Sequence, residues 1–123
     1  GINPHAGENK LISKDDNKYL LPIINNLKQQ GIFVNGPVSG DGIINVQNLK
    51  RYDAFIFTFH DQALIPFKIL SNYEGINFTS NLDIIRVSPS HGTAENLIGS
   101  NKIISKGIIN CFNSIRAIKR NRN

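Results

Sequence analysis

The sequence contains no methionine or tryptophan, and it has one cysteine among 123 residues. A single cysteine excludes an internal disulfide bond. Cys111 lies in an apolar helical pattern without a basic neighbour in the sequence, so we expect a buried structural thiol rather than a catalytic one. The absence of an initiator methionine leads us to expect that the chain is a fragment of a longer protein.

Long apolar runs are also absent. The most apolar segments lie near residues 20–27, 55–59 and 103–118, and they are short or interrupted by Lys and Asn, so none is predicted to span a bilayer. The first residues show neither the basic region nor the apolar region of a secretory signal. We therefore expect a cytoplasmic protein with no membrane segment.

The charge balance is basic, but it carries little functional information. The formal net charge is +5, and much of it comes from the cluster Lys119, Arg120 and Arg122 near the end of the chain. Aromatic residues do not interleave with these cations, and no nucleic-acid-binding module is recognisable, so we expect no nucleic-acid partner. Anionic small ligands would account equally well for the remaining excess. An apolar content of 40% and a charged content of 19% are typical of one globular domain.

The periodicity of apolar residues predicts a mixed α/β fold. Helices are expected over about 16–27, over 63–70 with a start near Pro66, over a short stretch ending at Gly99, and over 104–118. Strands are expected at 32–34, 54–59, 75–79 and 84–88, whereas 43–49 is ambiguous. Ser13 and Asp16 resemble a capping box, and Pro22 predicts either a bend at Lys18 or a helix start near Tyr19.

One stretch, residues 55–68, combines a continuous apolar run with a polar end. Such a run favours a strand that is covered on both faces by helices. Side chains at the carboxyl end of a buried strand face the crevice where α/β proteins bind ligands. His60, Asp61 and Lys68 are therefore the first candidates for a functional site.

The histidines and the cations allow more than one interpretation. His5, His60 and His91 all lie at predicted loops or strand ends, where a single histidine is more often a structural hydrogen-bonding residue than a ligand. Lys68 and Arg86 stand in apolar surroundings in the sequence and could bind an anionic ligand, with Asn77 as a neutral partner. They could instead pair with Glu74 or Asp83. From the residues alone, a metal site and an anion site are both open hypotheses.

Four motifs together resemble the 4-hydroxythreonine-4-phosphate dehydrogenase family of vitamin B6 synthesis. They are Asn3-Pro4-His5-Ala6-Gly7-Glu8, Asn35-Gly36-Pro37, His60-Asp61-Gln62 with Lys68, and His91-Gly92-Thr93-Ala94. The resemblance covers essentially the whole chain and implies an α/β fold, namely part of an α/β/α sheet like that of isocitrate and isopropylmalate dehydrogenases. It also implies that residues 1–123 form a single α/β unit, the carboxyl-terminal portion of a longer two-domain dehydrogenase.

The resemblance assigns roles to nine residues. It implies that His5 and His60 bind a divalent metal (Zn, Mg or Co), with a third histidine in the absent upstream part of the enzyme. Because Asp61 is adjacent to His60 in the sequence, we expect it to orient that imidazole, to touch the metal or to take a proton. The resemblance further implies substrate contacts from Lys68, Asn77 and Arg86, and contacts to NAD or NADP from His91, Gly92, Thr93 and Ala94. Family members are homodimers whose subunits share the active site.

The implied reaction is the oxidation of 4-phosphohydroxy-L-threonine to the 3-oxo acid, which then loses carbon dioxide to give 3-amino-2-oxopropyl phosphate. We expect this piece alone to bind metal weakly and to turn over slowly or not at all. Two alternatives stay open. One is a related dehydrogenase that acts on threonate phosphate or on dihydrodiols, and the other is a non-catalytic α/β remnant that binds nucleotide or a partner chain.

Overall fold

The computed structural model describes residues 1–92, 95–100 and 104–122. The chain divides into two compact units, unit 1 (Gly1–Pro66) and unit 2 (Phe67–Asn123). Helices and strands are both present, as the apolar pattern predicted. The organisation as a single α/β unit of a longer enzyme stays a prediction.

The described part of unit 1 is built from helical turns and irregular segments. Its elements are a 3-10 turn at Ala6–Lys10, a π-helical turn at Asp16–Leu20, helix α1 at Leu21–Gln29, helix α2 at Val46–Arg51, and the start of helix α3, His60–Ser71. The predicted helix over 16–27 is thus confirmed. It begins with the π-helical turn, and Pro22 is the second residue of α1, directly after that turn.

One local prediction in unit 1 needs correction, and one segment that was ambiguous in the sequence has a defined structure. The capping box does not form, because Ser13 Oγ accepts a hydrogen bond from the N–H of Asp15 at 3.2 Å while the Asp16 carboxylate binds elsewhere. The ambiguous segment 43–49 leads into α2, whose N-cap is Asn45. Its side-chain oxygen accepts from the N–H of Asn48 at 2.9 Å, which satisfies one of the free donors at the start of the helix.

The two strand predictions in unit 1 are wrong. Segments 32–34 and 54–59 are irregular, and in place of a strand covered on both faces the second segment leaves Ile56 90% exposed. The physical reason is that a strand requires a hydrogen-bonded neighbour, and the described residues of unit 1 contain none. Helix α3 also starts earlier than predicted, at His60, so that Pro66 lies inside the helix.

Unit 2 contains a β-hairpin that packs against a helix. Strands β1 (Ile76–Thr79) and β2 (Arg86–Pro89) pair antiparallel, with Ile76 opposite Pro89 and Thr79 opposite Arg86. Both strands were predicted, β2 two residues too early. A short 3-10 turn at Glu95–Leu97 and helix α4 (Lys106–Arg122) complete the described elements.

The contact between α4 and the hairpin depends on a glycine. A Cβ at Gly107 would lie 3.2 Å from the Cβ of Pro89 and 3.3 Å from the carbonyl oxygen of Tyr73, so the helix backbone approaches closely at this point. One turn later Cys111 is 3% exposed, which confirms the predicted buried thiol. The predicted apolar stripe is only partly correct, because Ile108 on the same helix remains 46% exposed. The helix is rotated so that its smallest residue, rather than its isoleucines, meets the hairpin.

Much apolar surface remains uncovered in this chain. Leu11 is 85% exposed, Ile56 is 90% exposed and Ile98 is 81% exposed. Cys111 is the one buried hydrophobic residue among the described residues. Within the same residues, no helix has the length and apolar character needed to cross a membrane.

Candidate functional site

His5 stands at the start of a left-handed backbone turn. The five residues that follow it all have positive φ angles: Ala6 52°, Gly7 74°, Glu8 42°, Asn9 55° and Lys10 78°. This conformation costs about 1–2 kcal/mol for each residue other than glycine. Gly7 is required for a second reason, because a Cβ there would lie 2.5 Å from the carbonyl oxygen of Ser13. The loop that carries His5 is therefore a strained structure that contacts elsewhere must hold in place.

The His5 imidazole is accessible and has a carboxylate nearby. Its Nδ1 lies 3.8 Å from Oε1 of Glu8, and its side chain is 58% exposed. The backbone N–H of His5 donates to the side-chain oxygen of Asn3 at 2.9 Å. This distance exceeds that of a hydrogen bond, so Glu8 does not fix the tautomer of the His5 imidazole.

His60 has a similar arrangement in the first turn of α3. Its Nδ1 lies 2.7 Å from Oδ1 of Asp61, and the two side chains are 78% and 83% exposed. Sequence reasoning placed His60 at the end of a strand, whereas the structure places it at the start of a helix. The contact is compatible with an orienting role for Asp61, which stays a prediction.

Unit 1 brings the two histidine-bearing segments together. The hydroxyl of Thr58, two residues before His60, donates to the carbonyl oxygen of Gly1 at 2.8 Å. The N–H of Gly40 donates to the carbonyl oxygen of Pro4 at 3.3 Å, next to His5. These hydrogen bonds join segments that are more than 30 residues apart in the sequence.

Asp16 is a buried charged residue whose contacts sequence reasoning missed. Its side chain is 0% exposed, and its carboxylate accepts hydrogen bonds from the N–H groups of Ile2 at 2.6 Å and Asn3 at 2.9 Å. The pattern Ser13-x-x-Asp16 indicated a helix cap, whereas the actual partners lie 13 and 14 residues earlier. No local signal in the sequence could have indicated that contact.

The residues of unit 1 fit part of a metal site. Two exposed imidazoles suit a divalent ion of the zinc or cobalt type, and at His60 a carboxylate lies within hydrogen-bond distance of Nδ1. Among the described residues, however, no group of three His, Cys, Asp or Glu side chains could hold a metal. A complete coordination sphere therefore needs donors in addition to His5 and His60.

Two predicted substrate residues share one face of the hairpin. Asn77 and Thr79 are two residues apart on β1 and therefore share a face of the strand. Arg86 lies directly opposite Thr79, so all three side chains point to the same side. The Arg86 guanidinium donates from Nη1 to the hydroxyl of Thr79 at 2.9 Å. Of the alternative partners considered for the cations, Glu74 binds Lys106 at 2.6 Å.

The predicted apolar surroundings of the two cations are wrong. Arg86 is exposed because it lies on the polar face of the hairpin, and Lys68 is exposed in the last turn of α3. Both charges are therefore open to an anionic ligand without the desolvation that burial would impose.

The predicted cofactor segment is described only in its first half. His91 is exposed, and its Nδ1 lies 2.9 Å from the carbonyl oxygen of Gly92. Thr93 and Ala94 lie outside the described residues. The role of this segment stays a prediction.

Comparison with known proteins finds similar enzymes. A 4-hydroxythreonine-4-phosphate dehydrogenase of Roseobacter denitrificans is 40% identical over 119 residues, which cover 97% of this chain and 35% of the relative. The corresponding enzyme of Aquifex aeolicus is 42% identical over 102 residues, which cover 83% of this chain and 31% of the relative. That of Paracoccus denitrificans is 38% identical over 109 residues, or 89% of this chain and 34% of the relative.

A solved structure and a family model agree with these relatives. The structure, of a protein from Salmonella typhimurium assigned as a 4-hydroxythreonine-4-phosphate dehydrogenase, matches with a TM-score of 0.70 and 35% identity over 92% of this chain and 34% of that one. This match confirms the predicted fold, part of an isocitrate/isopropylmalate dehydrogenase-like α/β architecture. The chain spans about a third of the length of these relatives. Because the family model of the pyridoxal phosphate biosynthetic protein PdxA matches residues 1–115, the chain belongs to the PdxA family.

Proposed function

We propose that this chain is the carboxyl-terminal part of a metal- and NAD(P)-dependent dehydrogenase that oxidises 4-phosphohydroxy-L-threonine in vitamin B6 synthesis. Family membership supports the reaction class, since the relatives are named 4-hydroxythreonine-4-phosphate dehydrogenases. The single observation that carries the proposal is the pair of histidines in unit 1. Both imidazoles are exposed, a carboxylate lies within hydrogen-bond distance of Nδ1 of His60, and hydrogen bonds join the segments that bear the two histidines.

His5 and His60 are the residues that would hold the divalent ion. When bound, such an ion polarises the substrate alcohol and stabilises the negative charge that develops on its oxygen as NAD(P) accepts a hydride. Asp61 would accept a hydrogen bond from Nδ1–H of His60, which would leave the opposite ring nitrogen available to the ion. Its exposed second oxygen would also be available to take a proton from the substrate.

The cations of unit 2 would bind the anionic groups of the substrate. Arg86 offers two parallel N–H donors to a phosphate or carboxylate, and its hydrogen bond to Thr79 limits the positions of the guanidinium. Lys68 supplies a compact positive charge, and Asn77 supplies a neutral donor. A substrate with a phosphate and a carboxylate suits this set of groups better than an uncharged dihydrodiol.

The remaining elements of the proposal concern cofactor, partner and location. The segment His91, Gly92, Thr93 and Ala94 would contact the nicotinamide cofactor. The enzyme would act as a homodimer whose subunits share the active site, and it would work in the cytoplasm. The described residues supply no group of three metal ligands. An active site to which other chain segments contribute would provide the additional ligands.

A chimeric enzyme tests the proposed function. In this chimera, the present chain replaces the matching third of the Aquifex aeolicus relative. We expect NADH formation from 4-phosphohydroxy-L-threonine that requires a divalent metal. His60→Ala in the chimera should lower kcat by at least about 100-fold. Lys119→Ala, near the end of α4, serves as the control and should leave kcat unchanged.

The outcomes of this assay separate the three interpretations. A folded chimera that forms no NADH in the presence of metal would favour the non-catalytic remnant. Turnover of threonate phosphate or of a dihydrodiol in place of phosphohydroxythreonine would assign the chain to a related dehydrogenase. The isolated 123-residue chain should show slow turnover or none.

A further inference from the structure

We propose that Asp16 is a positioning residue for the two-histidine site, because its buried carboxylate holds the backbone segment that connects His5 with the His60 helix. This inference rests on the proposed metal site. Asp16 would belong to the site without touching the metal. The sequence does not indicate where Asp16 lies relative to the histidines.

The burial and the hydrogen bonds of Asp16 carry the first step. Asp16 is the one buried charged side chain among the described residues. Its two oxygens accept from consecutive N–H groups, Oδ1 from Ile2 at 2.6 Å and Oδ2 from Asn3 at 2.9 Å. A buried carboxylate is unfavourable unless hydrogen bonds replace its hydration, and here both oxygens are used on the same short segment. The carboxylate therefore fixes both the position and the direction of residues 2 and 3.

Asn3 transmits this constraint to His5. The side-chain oxygen of Asn3 accepts from the N–H of His5 at 2.9 Å, and its carbonyl oxygen accepts from the N–H of Ala6 at 2.9 Å. These two hydrogen bonds define the start of the left-handed turn that follows His5. Because such a turn is unfavourable in isolation, it depends on an anchored residue at its beginning.

The same segment reaches His60 through Thr58. The Thr58 hydroxyl donates to the carbonyl oxygen of Gly1 at 2.8 Å, immediately before the residues that Asp16 holds. A Cβ at Gly1 would lie 2.8 Å from Oδ1 of Asp16, so the approach of the carboxylate requires glycine at that position. Residues 1–3 thus connect the segments that bear the two histidines, and the buried Asp16 carboxylate fixes the position of this connection.

The test compares Asp16→Asn with Asp15→Asn in the 123-residue chain. Asparagine keeps the shape of the side chain, but its NH₂ group cannot accept from a backbone N–H. The neighbouring Asp15 is exposed. Its carboxylate accepts a hydrogen bond from the Ser13 hydroxyl, and its backbone N–H donates to the same hydroxyl, so it provides a matched control. Co²⁺ is titrated into each metal-free protein, and circular dichroism verifies that each variant is folded.

We expect Asp16→Asn to weaken Co²⁺ binding by about tenfold and Asp15→Asn to leave it unchanged. Without metal, the amides of Ile2 and Asn3 should exchange their hydrogens faster in Asp16→Asn, while amides in α4 should keep their wild-type rates. If Asp16→Asn does not fold, Asp16→Glu replaces it. The added methylene displaces the carboxylate, and we expect Co²⁺ binding at least about threefold weaker than in the wild type.

Different results would overturn the inference and the proposed function. Wild-type Co²⁺ affinity in a folded Asp16→Asn, or in Asp16→Glu where that variant is used, overturns the positioning role and leaves the two-histidine site intact. If the wild-type chain binds too little Co²⁺ to measure, the same variants are compared in the chimera with the Aquifex aeolicus relative. No Co²⁺ binding by either the wild-type chain or the wild-type chimera overturns the proposed metal site, and the inference with it.

Discussion

The two units of this chain are stabilised in different ways. Unit 2 forms its structure from neighbouring segments, since β1 pairs with β2 and α4 packs on the hairpin at Gly107. Unit 1 has no such sheet in its described residues. It depends on polar contacts between distant segments, with the buried Asp16 carboxylate and the Thr58 hydroxyl holding the segment that precedes His5.

The difference depends on where each predicted strand finds its hydrogen-bonded partner. A hairpin needs only its own two strands, so unit 2 forms the strands that its sequence predicts. The predicted strand at 54–59 has no hydrogen-bonded neighbour among the described residues of unit 1, so this segment is irregular and Ile56 remains exposed.

Substitution of one glycine in each unit should destabilise that unit alone, and these two variants should have the largest effects on stability. Gly7→Ala places a Cβ 2.5 Å from the carbonyl oxygen of Ser13 at a φ of 74°, and we expect a loss of about 2–4 kcal/mol in the stability of unit 1. Gly75→Ala places a Cβ against the Phe67 ring and 2.8 Å from the Ser71 hydroxyl, and should destabilise unit 2 by about 1–3 kcal/mol. Amide hydrogen exchange in α1 and α4 measures the two effects.

Gly42→Ala is the control for both variants, since a Cβ at Gly42 would meet nothing within 4 Å. Its exchange rates should match those of the wild type. If Gly7→Ala lowered protection in α4 as much as in α1, the two units would not be independent in stability, and the comparison between them would be wrong.

Cys111→Ser should have a smaller effect, confined to unit 2. Cys111 is 3% exposed, and a hydroxyl in its place would need a hydrogen-bond partner in a largely apolar contact. We expect a loss of about 1–3 kcal/mol, measured by denaturant unfolding followed through α4. Cys111→Ala, which removes the sulfur without adding a polar group, is the matched variant and should cost less. A loss in Cys111→Ser no larger than that in Cys111→Ala would show that the buried hydroxyl carries no penalty of its own.

The smallest effect is expected at the surface ion pair of unit 2. Lys106 Nζ lies 2.6 Å from Oε1 of Glu74, but the two side chains are 64% and 47% exposed. Solvent and salt screen such a pair, so Lys106→Ala should cost less than about 1 kcal/mol and progressively less as salt is added. A large loss that does not depend on salt would show that this contact, rather than the helix packing, stabilises unit 2.

The sequence alone predicted those features that depend on near neighbours. The helix over 16–27, both strands of the hairpin and the buried Cys111 follow from local periodicity. The contact between His60 and Asp61 joins adjacent residues, so the sequence could indicate it. The other errors and omissions involve partners that are distant in the chain or not present among the described residues.

Asp16 shows why such contacts escape sequence reasoning. Its spacing from Ser13 satisfies a capping pattern, yet burial directs its carboxylate to Ile2 and Asn3. The start of α3 at His60 was missed for a related reason, because the apolar run before it suggested a strand that continued to the polar residues. Without its neighbouring strands, that run cannot form a strand, and the helix begins directly after it.

Cobalt binding by the metal-free 123-residue chain tests the central claim most directly. If His5 and His60 form the metal-binding half of an active site, His5→Ala and His60→Ala should each weaken Co²⁺ affinity by at least about tenfold. The double variant should show no measurable binding. His91→Ala removes the one histidine of unit 2 and should bind Co²⁺ as the wild type does. Co²⁺ affinity that is unchanged in the double variant, or lost in His91→Ala, would contradict the account.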